Sequence, residues 1–140
     1  MSSVATYLNF PGSTEEAFSF YASVFETSII EPVLRFGDID GMPPLSDDDK
    51  EKIMHIELPI INGHMLMATD VLESMGRQIQ IGNNTTINLM LDTRDHADTL
   101  FALLSQDSTE FAPMMEMPWG QYWGTALDRF GIRWMFTAPL

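Results

Sequence analysis

Residues 119–136, WGQYWGTALDRFGIRWMF, concentrate the aromatic and cationic side chains of the chain. The segment holds all three tryptophans, a tyrosine and two arginines. Tyr122 and Trp123 are consecutive, so in an extended strand they face opposite sides of the sheet and cannot line one pocket together. We expect Trp119 or Trp123 to border a ligand cavity and Trp134 to support the core or a subunit contact. Packing without any ligand is the alternative.

The three histidines are candidates for acid–base chemistry or for metal binding. His55 opens an alternating strand, where it can face a cavity as a base or hydrogen-bond donor. The alternative is a packed histidine that the backbone satisfies. We expect His64 to be exposed after a turn glycine. His96 is expected to be solvated in the first turn of a helix, where a positive charge gains nothing from the helix dipole.

Two arginines and one amide complete the candidates for ligand contact. Arg35 and Arg133 have the chemistry of anion clamps, because a guanidinium holds a carboxylate or phosphonate through two hydrogen bonds. Pairing with the abundant carboxylates of the chain is the favoured alternative. Asn9 can present its amide to a cavity from the first strand.

Composition excludes several classes of function. The chain has 140 residues and a formal charge of −13, which opposes binding to nucleic-acid phosphates and to anionic membranes. The absence of cysteine excludes disulfides, thiolate nucleophiles and thiolate metal sites. No signal peptide is visible at the first residues, and no apolar run has the length of a membrane span. We expect a cytoplasmic protein.

The first half of the chain predicts a strand, a helix and three further strands. Residues 4–10 predict a strand, and residues 13–26 predict a helix with a capping box of Ser13 and Glu16. Residues 28–37 predict an edge strand that contains Pro32. Residues 38–52 predict an irregular surface segment. Residues 53–60 and 64–70 predict a hairpin.

The second half repeats this order. Residues 85–93 predict a strand, and the following segment RDHADTLFALLSQ predicts a helix that Asp92 or Thr93 caps. Residues 109–117 predict a strand interrupted by Pro113. Residues 121–128 and 132–139 predict a second hairpin.

The apolar positions of the two predicted helices superpose at an offset of about 80 residues, which indicates a duplicated βαβββ unit. We therefore predict one α+β domain over residues 1–140. Its first module covers about 1–72 and its second about 84–140. One unit cannot cover both faces of its small sheet, whereas two units can curl into an incomplete mixed barrel with the helices outside.

The duplicated unit and four segments of the sequence resemble one protein family. The segments are YLNFPGSTEEAFSFYASVF, FGDIDGMPPLSDDDKEKIMHIEL, INGHMLMATD and DRFGIRWMF. They resemble the PhnB-like branch of the vicinal oxygen chelate superfamily, also called the glyoxalase/bleomycin-resistance/dioxygenase fold. Members of this branch often carry a demethylubiquinone methyltransferase name. The sequence contains no glycine-rich strand–turn–helix for S-adenosylmethionine.

The resemblance implies a test for a divalent metal. Enzymes of the superfamily hold the metal with His and Glu from the first and last strands of each half. Here the resemblance places Thr6, Met67, Thr86 and Met135 at those four positions, so the usual metal site is degenerate. A substitute built from His55, His64 and Asp70 follows no known ligand spacing. No metal or other cofactor is expected.

The resemblance and the residues together predict a homodimer that binds a small, largely apolar organic molecule inside the curled sheet without the usual metal. The expected ligand-binding residues are Asn9, His55, Met67, Trp119, Trp123 and Met135. One alternative is a metal-dependent lyase, isomerase or dioxygenase with atypical ligands. Another is a metal-free enzyme with His55 as its acid–base group. The substrate and the presence of catalysis stay open at this level.

Overall fold

The chain folds twice through the order strand, helix, strand, strand, strand. The computed structural model describes all residues, 1–140, and separates them into two compact units, Met1–Gln80 and Ile81–Leu140. The strands of the first unit are β1 Thr6–Phe10, β2 Leu34–Arg35, β3 Ile53–Pro59 and β4 Met65–Asp70. Its helices are α1 Thr14–Val24 and the short α2 Asp47–Glu51.

The second unit has one helix and four strands. The helix is α3 Arg94–Leu104, and the strands are β5 Ile87–Met90, β6 Phe111–Glu116, β7 Gln121–Leu127 and β8 Arg133–Pro139. No helix in the chain combines the length and apolarity that crossing a bilayer requires.

Both sheets are mixed and share one topology. The first has the order β1-β4-β3-β2 and the second β5-β8-β7-β6. The first and last strands of each unit pair in parallel, and the other pairs are antiparallel. The predicted α+β class with a repeated βαβββ unit is confirmed, and neither sheet closes into a barrel.

One face of each sheet is covered by the long helix of its unit. Alternate residues of β1, β3 and β4 are buried beneath α1, where Phe10 meets Phe18 edge to face with ring centroids 6.4 Å apart. In the second unit, Phe136 of β8 meets Phe101 of α3 at 5.5 Å. The predicted helix faces are confirmed, since Ala17, Tyr21, Leu100 and Leu104 are all buried.

Two local predictions in the first unit are wrong. Ser13 makes no side-chain cap, because its ψ of 14° lies outside the extended conformation that aims a capping oxygen at the helix. The strand predicted over 28–37 is reduced to Leu34–Arg35. Pro32 has no amide hydrogen for the ladder, although Ile30 still donates to the carbonyl of Glu57. The expected edge position of this strand is confirmed.

One of the two residues predicted to cap the helix of the second unit, α3, does so. The hydroxyl of Thr93 accepts the amide hydrogen of His96 at 3.2 Å, so Thr93 rather than Asp92 caps α3. Pro113 lies where the pairing of β6 with β7 shifts register, between Ala112 and Met115. This irregularity brings Met114 so close to β7 that a Cβ on Gly124 would lie 2.6 Å from its sulfur.

Candidate functional site

Each sheet has a second face that the long helix of its unit does not cover, and we call it the open face. In the first sheet this face follows from the register, which places Met67 of β4 beside Tyr7 of β1 and Glu57 of β3. Its side chains are exposed or half-buried: Tyr7, Asn9, His55, Glu57, Met65, Met67 and Thr69. Three residues of the predicted ligand site, Asn9, His55 and Met67, therefore share one surface.

A chain of hydrogen bonds joins three of these side chains. The hydroxyl of Tyr7 lies 3.2 Å from Nδ1 of His55, and Nε2 of the same imidazole lies 2.9 Å from Oε2 of Glu57. The two rings are 5.8 Å apart with an interplanar angle of 31°. Both nitrogens of His55 are thus engaged by side chains on the open face and not by the backbone.

The acceptor properties of Glu57 decide the direction of these bonds. An ionised carboxylate only accepts, so Nε2 of His55 carries a hydrogen and donates to Glu57. In the neutral imidazole Nδ1 is then a lone-pair acceptor, and the Tyr7 hydroxyl donates to it. Burial raises the pKa of Tyr7 above its ordinary value of 10.0, so the phenol is neutral at pH 7 and has a proton to donate.

Asp70 and His64 do not join this group. Asp70 is buried at the end of β4, where Oδ1 accepts from the amide and hydroxyl of Thr14 and Oδ2 accepts from the amide of Ile53. His64 is half-buried rather than exposed, with Nε2 2.8 Å from the hydroxyl of Thr6. The proposed substitute site of His55, His64 and Asp70 is therefore not assembled.

In neither sheet are the two degenerate metal positions register partners. Thr6 pairs with Leu66 on the helix-covered face, so its placement with Met67 is wrong by one residue, and Tyr7 occupies that place. In the second sheet Met135 pairs with Asn88, and Thr86 lies one residue before β5. No group of three or more His, Asp or Glu side chains is placed to hold a metal. The residues present do not fit the His and carboxylate donor set of the superfamily.

The open face of the second sheet is aromatic and sulfur-rich. Trp123 and Met135 both lie on this face next to Thr125, which is two residues from Trp123 along β7 and is the register partner of Met135. Trp119 is 63% exposed and meets Trp123 edge to face at 6.5 Å. Trp134 is fully buried on the opposite face, where its Nε1 donates to Oδ2 of Asp128 at 2.8 Å. The expectation that Trp134 supports the core is confirmed.

Tyr122 and Trp123 do face opposite sides of β7. The Tyr122 hydroxyl bonds to Asp98 of α3, and the guanidinium of Arg94 lies 4.0 Å from the centre of its ring. The bond to Asp98, more than burial, raises the pKa of Tyr122. Tyr122 thus ties α3 to the sheet and does not contribute to the open face. His96 on the same helix is exposed, as expected.

The second unit also contains a pocket of about 280 Å³ near the start of β8. Its polar lining includes Thr86, Glu110 and Arg133, but none of the six predicted ligand-binding residues. The guanidinium of Arg133 is already held by both carboxylate oxygens of Glu110, at 2.8 and 3.2 Å, and by the carbonyl of Gly82. Bonding to Arg133 lowers the pKa of Glu110, so this pair is not a free anion clamp.

Arg35 is paired in the same manner. Its guanidinium donates to both oxygens of Glu15, at 3.2 and 2.6 Å, and to the carbonyl of Glu51 at 2.6 Å. The favoured sequence interpretation, pairing of Arg35 and Arg133 with carboxylates, is confirmed.

Sequence reasoning missed Tyr7 and Glu57 as members of the site. One signal was present, because His55 and Glu57 are two residues apart and must share a face in an extended strand. Tyr7 carried no such signal. Its contact with His55 requires the strand order β1-β4-β3, which places one strand between the two residues.

Two open faces on a repeated βαβββ unit define a protein of the glyoxalase/bleomycin-resistance/dioxygenase class. Within it, the family described as 3-demethylubiquinone-9 3-methyltransferase matches residues 2–137. The chain belongs to this PhnB-like family. No curated protein matches the sequence.

Solved structures support this assignment. Protein PA1353 from Pseudomonas aeruginosa is 30% identical, with a TM-score of 0.83 over 99% of this chain and 98% of that one. The PhnB protein from Bacillus cereus is 25% identical, with a TM-score of 0.78 over 98% of this chain and 99% of that one. The fosfomycin resistance protein FosX from Listeria monocytogenes is 12% identical, with a TM-score of 0.64 over 100% and 94%, and shares the fold alone.

Proposed function

We propose that the chain binds a small, largely apolar organic molecule on the open face of the first sheet, without a metal. The observation that carries the proposal is the composition of this face, where Met67 lies between Tyr7 and Glu57, Met65 lies two residues further along β4, and Tyr7 is hydrogen-bonded to His55. Apolar contact area with a few placed polar groups is typical of small-molecule sites. Methionine adapts its shape to varied ligands.

The open face of the second sheet also has exposed aromatic and sulfur-containing side chains. Trp123 and Met135 are half-buried there, and Trp119 adds exposed aromatic area beside Trp123. Aromatic side chains give large contact areas at low conformational cost. We infer that the second unit has an apolar surface of its own on this face.

Methyl transfer, which the family description names, receives no support from the residues. The segment between β1 and α1 contains one glycine, Gly12, and the side chain of Lys52 lies 3.5 Å from the place of its absent Cβ. The segment between β5 and α3 contains none. Neither segment is the glycine-rich loop that dinucleotide-type cofactor sites use.

A thermal-shift screen of small aromatic and aliphatic compounds tests the binding proposal. Compounds that bind raise the melting temperature of the wild type. Met67→Glu places a charge in the middle of the open face and is expected to abolish the shift. Met75→Glu, an exposed methionine outside the sheets, is the matched control and keeps it. Equal shifts in both variants, or no shift with any compound, would overturn the proposal.

We also infer that the protein pairs with itself through an aromatic surface of the second unit. Met115 is half exposed and is the register partner of Trp123, which contacts Trp119. Exposed apolar clusters of this kind are typical of interaction sites. Sedimentation equilibrium should give a dimer for the wild type and a monomer for Met115→Glu. A wild-type monomer would contradict this inference.

A further inference from the structure

We propose that Tyr7, His55 and Glu57 form a proton relay that binds a weakly acidic hydroxyl compound, a phenol or an enol, and takes up its proton. This inference rests on the proposed binding site and specifies the ligand class for it. The three side chains lie on the open face of the first sheet and are joined by hydrogen bonds of 3.2 and 2.9 Å.

The direction of these bonds determines what Tyr7 offers to a ligand. Its single hydroxyl hydrogen is directed at Nδ1 of His55, because Nε2 carries the other hydrogen toward Glu57. The Tyr7 oxygen therefore presents acceptor lone pairs to anything that approaches from solvent. A ligand hydroxyl satisfies them, whereas a ketone or ether oxygen brings a second acceptor.

Tyr7 is accessible to a ligand, and Glu57, on the same strand as His55, is the one charged side chain set against the imidazole. Tyr7 is 49% exposed. The register places Leu34 of β2 beside His55, and β4 contributes Met65, Met67 and Thr69 to this face. Neither strand sets a charged side chain against the imidazole, so Glu57 is the charge that faces it.

The proposed step moves two protons and changes no oxidation state. The O–H bond of the ligand breaks, and its proton forms a new O–H bond on Tyr7. The original hydroxyl proton of Tyr7 leaves at the same time and forms an N–H bond at Nδ1 of His55. The products are a bound phenolate or enolate, a neutral Tyr7 and an imidazolium that the carboxylate of Glu57 stabilises.

The protonation of Tyr7 agrees with this assignment. Burial raises the pKa of Tyr7, so a free tyrosinate is unfavourable and the phenol acts as a carrier of protons. Glu57 does not contact the ligand in this scheme. It is a positioning residue that fixes the tautomer of His55 and stabilises the positive charge formed there.

The test uses 4-nitrophenol as the acidic probe and 4-nitroanisole as its non-acidic counterpart. Phenolate absorbance reports the ionised fraction of bound nitrophenol, and a thermal shift reports binding of either compound. We expect the wild type to raise the ionised fraction several-fold over free probe at a pH below the pKa of the probe. Glu57→Gln should still bind nitrophenol but leave it neutral. His96→Gln, an exposed histidine in the other unit, should match the wild type.

Tyr7→Phe removes the relaying hydroxyl and keeps His55, so it distinguishes proton transfer through Tyr7 from direct contact of the ligand with the imidazole. We expect nitrophenol bound to this variant to stay neutral. Ionisation that persists in Tyr7→Phe, or in Glu57→Gln, overturns the relay. Nitrophenol that binds the wild type only as the neutral phenol also overturns it, while the binding proposal survives. If neither probe nor any compound of the screen binds, both proposals fail. Circular dichroism of the Tyr7→Phe and Glu57→Gln variants checks that both are folded.

Discussion

Oδ1 of Asp70 accepts both the amide hydrogen and the hydroxyl hydrogen of Thr14, at 3.0 and 2.6 Å. This pair joins the end of β4 to the first residue of α1 and takes over the capping that Ser13 does not perform. Oδ2 of the same carboxylate accepts from Ile53 at the start of β3. One buried side chain thus fixes the relative positions of three elements, and it is engaged in structure rather than in ligand binding.

Replacing Asp70 by alanine should destabilise the first unit strongly. The change leaves the amides of Thr14 and Ile53 and a hydroxyl buried without acceptors. Hydrogen bonds to a charged group contribute about 1.5–3 kcal/mol each and are not additive, so we expect a loss of about 3 kcal/mol. Urea unfolding followed by circular dichroism measures it. Asp92→Ala, an exposed aspartate, is the control. Equal stability of the two variants would contradict this role of Asp70.

Trp134→Phe tests the corresponding contact in the second unit. The phenylalanine fills most of the same space but cannot donate to Asp128, which then loses the hydrogen bond to its Oδ2. We expect a loss of about 1–3 kcal/mol in the free energy of unfolding, since the donor is removed from a buried acceptor. Trp119→Phe is the matched control, because the same substitution at an exposed site should change stability little. A smaller effect at position 134 than at 119 would disprove the assignment.

The fold was predictable because its signals are local and repeated. Apolar spacing on the two helices and alternation in the strands predicted both βαβββ units, and the turn glycine before β8 placed the second hairpin. The register of the paired strands was harder to predict from the sequence. The structure places Tyr7, and not Thr6, beside Met67. This is a shift of one residue, which in a strand moves a side chain to the other face. His64 was misjudged for a related reason, since its partner Thr6 is 58 residues away.

The site was predictable in part. Asn9, His55 and Met67 were predicted to contribute to one site, and they share the open face of the first sheet. The contact between Tyr7 and His55 depends on strand order and could not be derived from spacing along the chain. Sequence spacing predicts neighbours within one element, whereas the parallel pairing of β1 with β4 is a property of the topology.

The pairing of Arg35 with Glu15 predicts a pH-dependent contribution to stability. The hydrogen bond from Arg35 lowers the pKa of Glu15 below its ordinary value of 4.5. A lowered pKa means that the contribution is fully present above pH 4.5 and is lost as the pH falls through the folded-state pKa. The pair is at the surface, so we expect Glu15→Gln to lose only about 0.2–1 kcal/mol at pH 7.

Urea unfolding at pH 7 and at pH 2.5 measures this contribution. The difference between wild type and Glu15→Gln should shrink at the lower pH. Glu16→Gln is the control, because Glu16 lies in the same first turn of α1 and is also exposed, so both variants lose the same helix-dipole interaction. A difference between the variants that grows on acidification would contradict the sign of the effect.

The donor set of the open faces predicts how the protein responds to metals. Only His55 and Glu57 of the first sheet carry ligand atoms of the usual kind, and they bond to each other. A stable site for zinc or a similar ion takes three or more such side chains. We therefore expect elemental analysis of untagged protein, after dialysis, to find far less than one divalent metal per chain. Excess zinc, nickel or manganese should leave the melting temperature unchanged.

One metal per chain that resists dialysis would reverse this conclusion and favour a chelate enzyme with atypical ligands. His55→Gln and Glu57→Gln then locate the ion, because loss of the metal in both variants places it on the open face of the first sheet. Retention in both variants places it elsewhere, and His64→Gln provides the next position to examine. Binding of a ligand by metal-free protein, abolished by Met67→Glu, separates the two functions, since a chelate enzyme needs its ion to hold substrate oxygens.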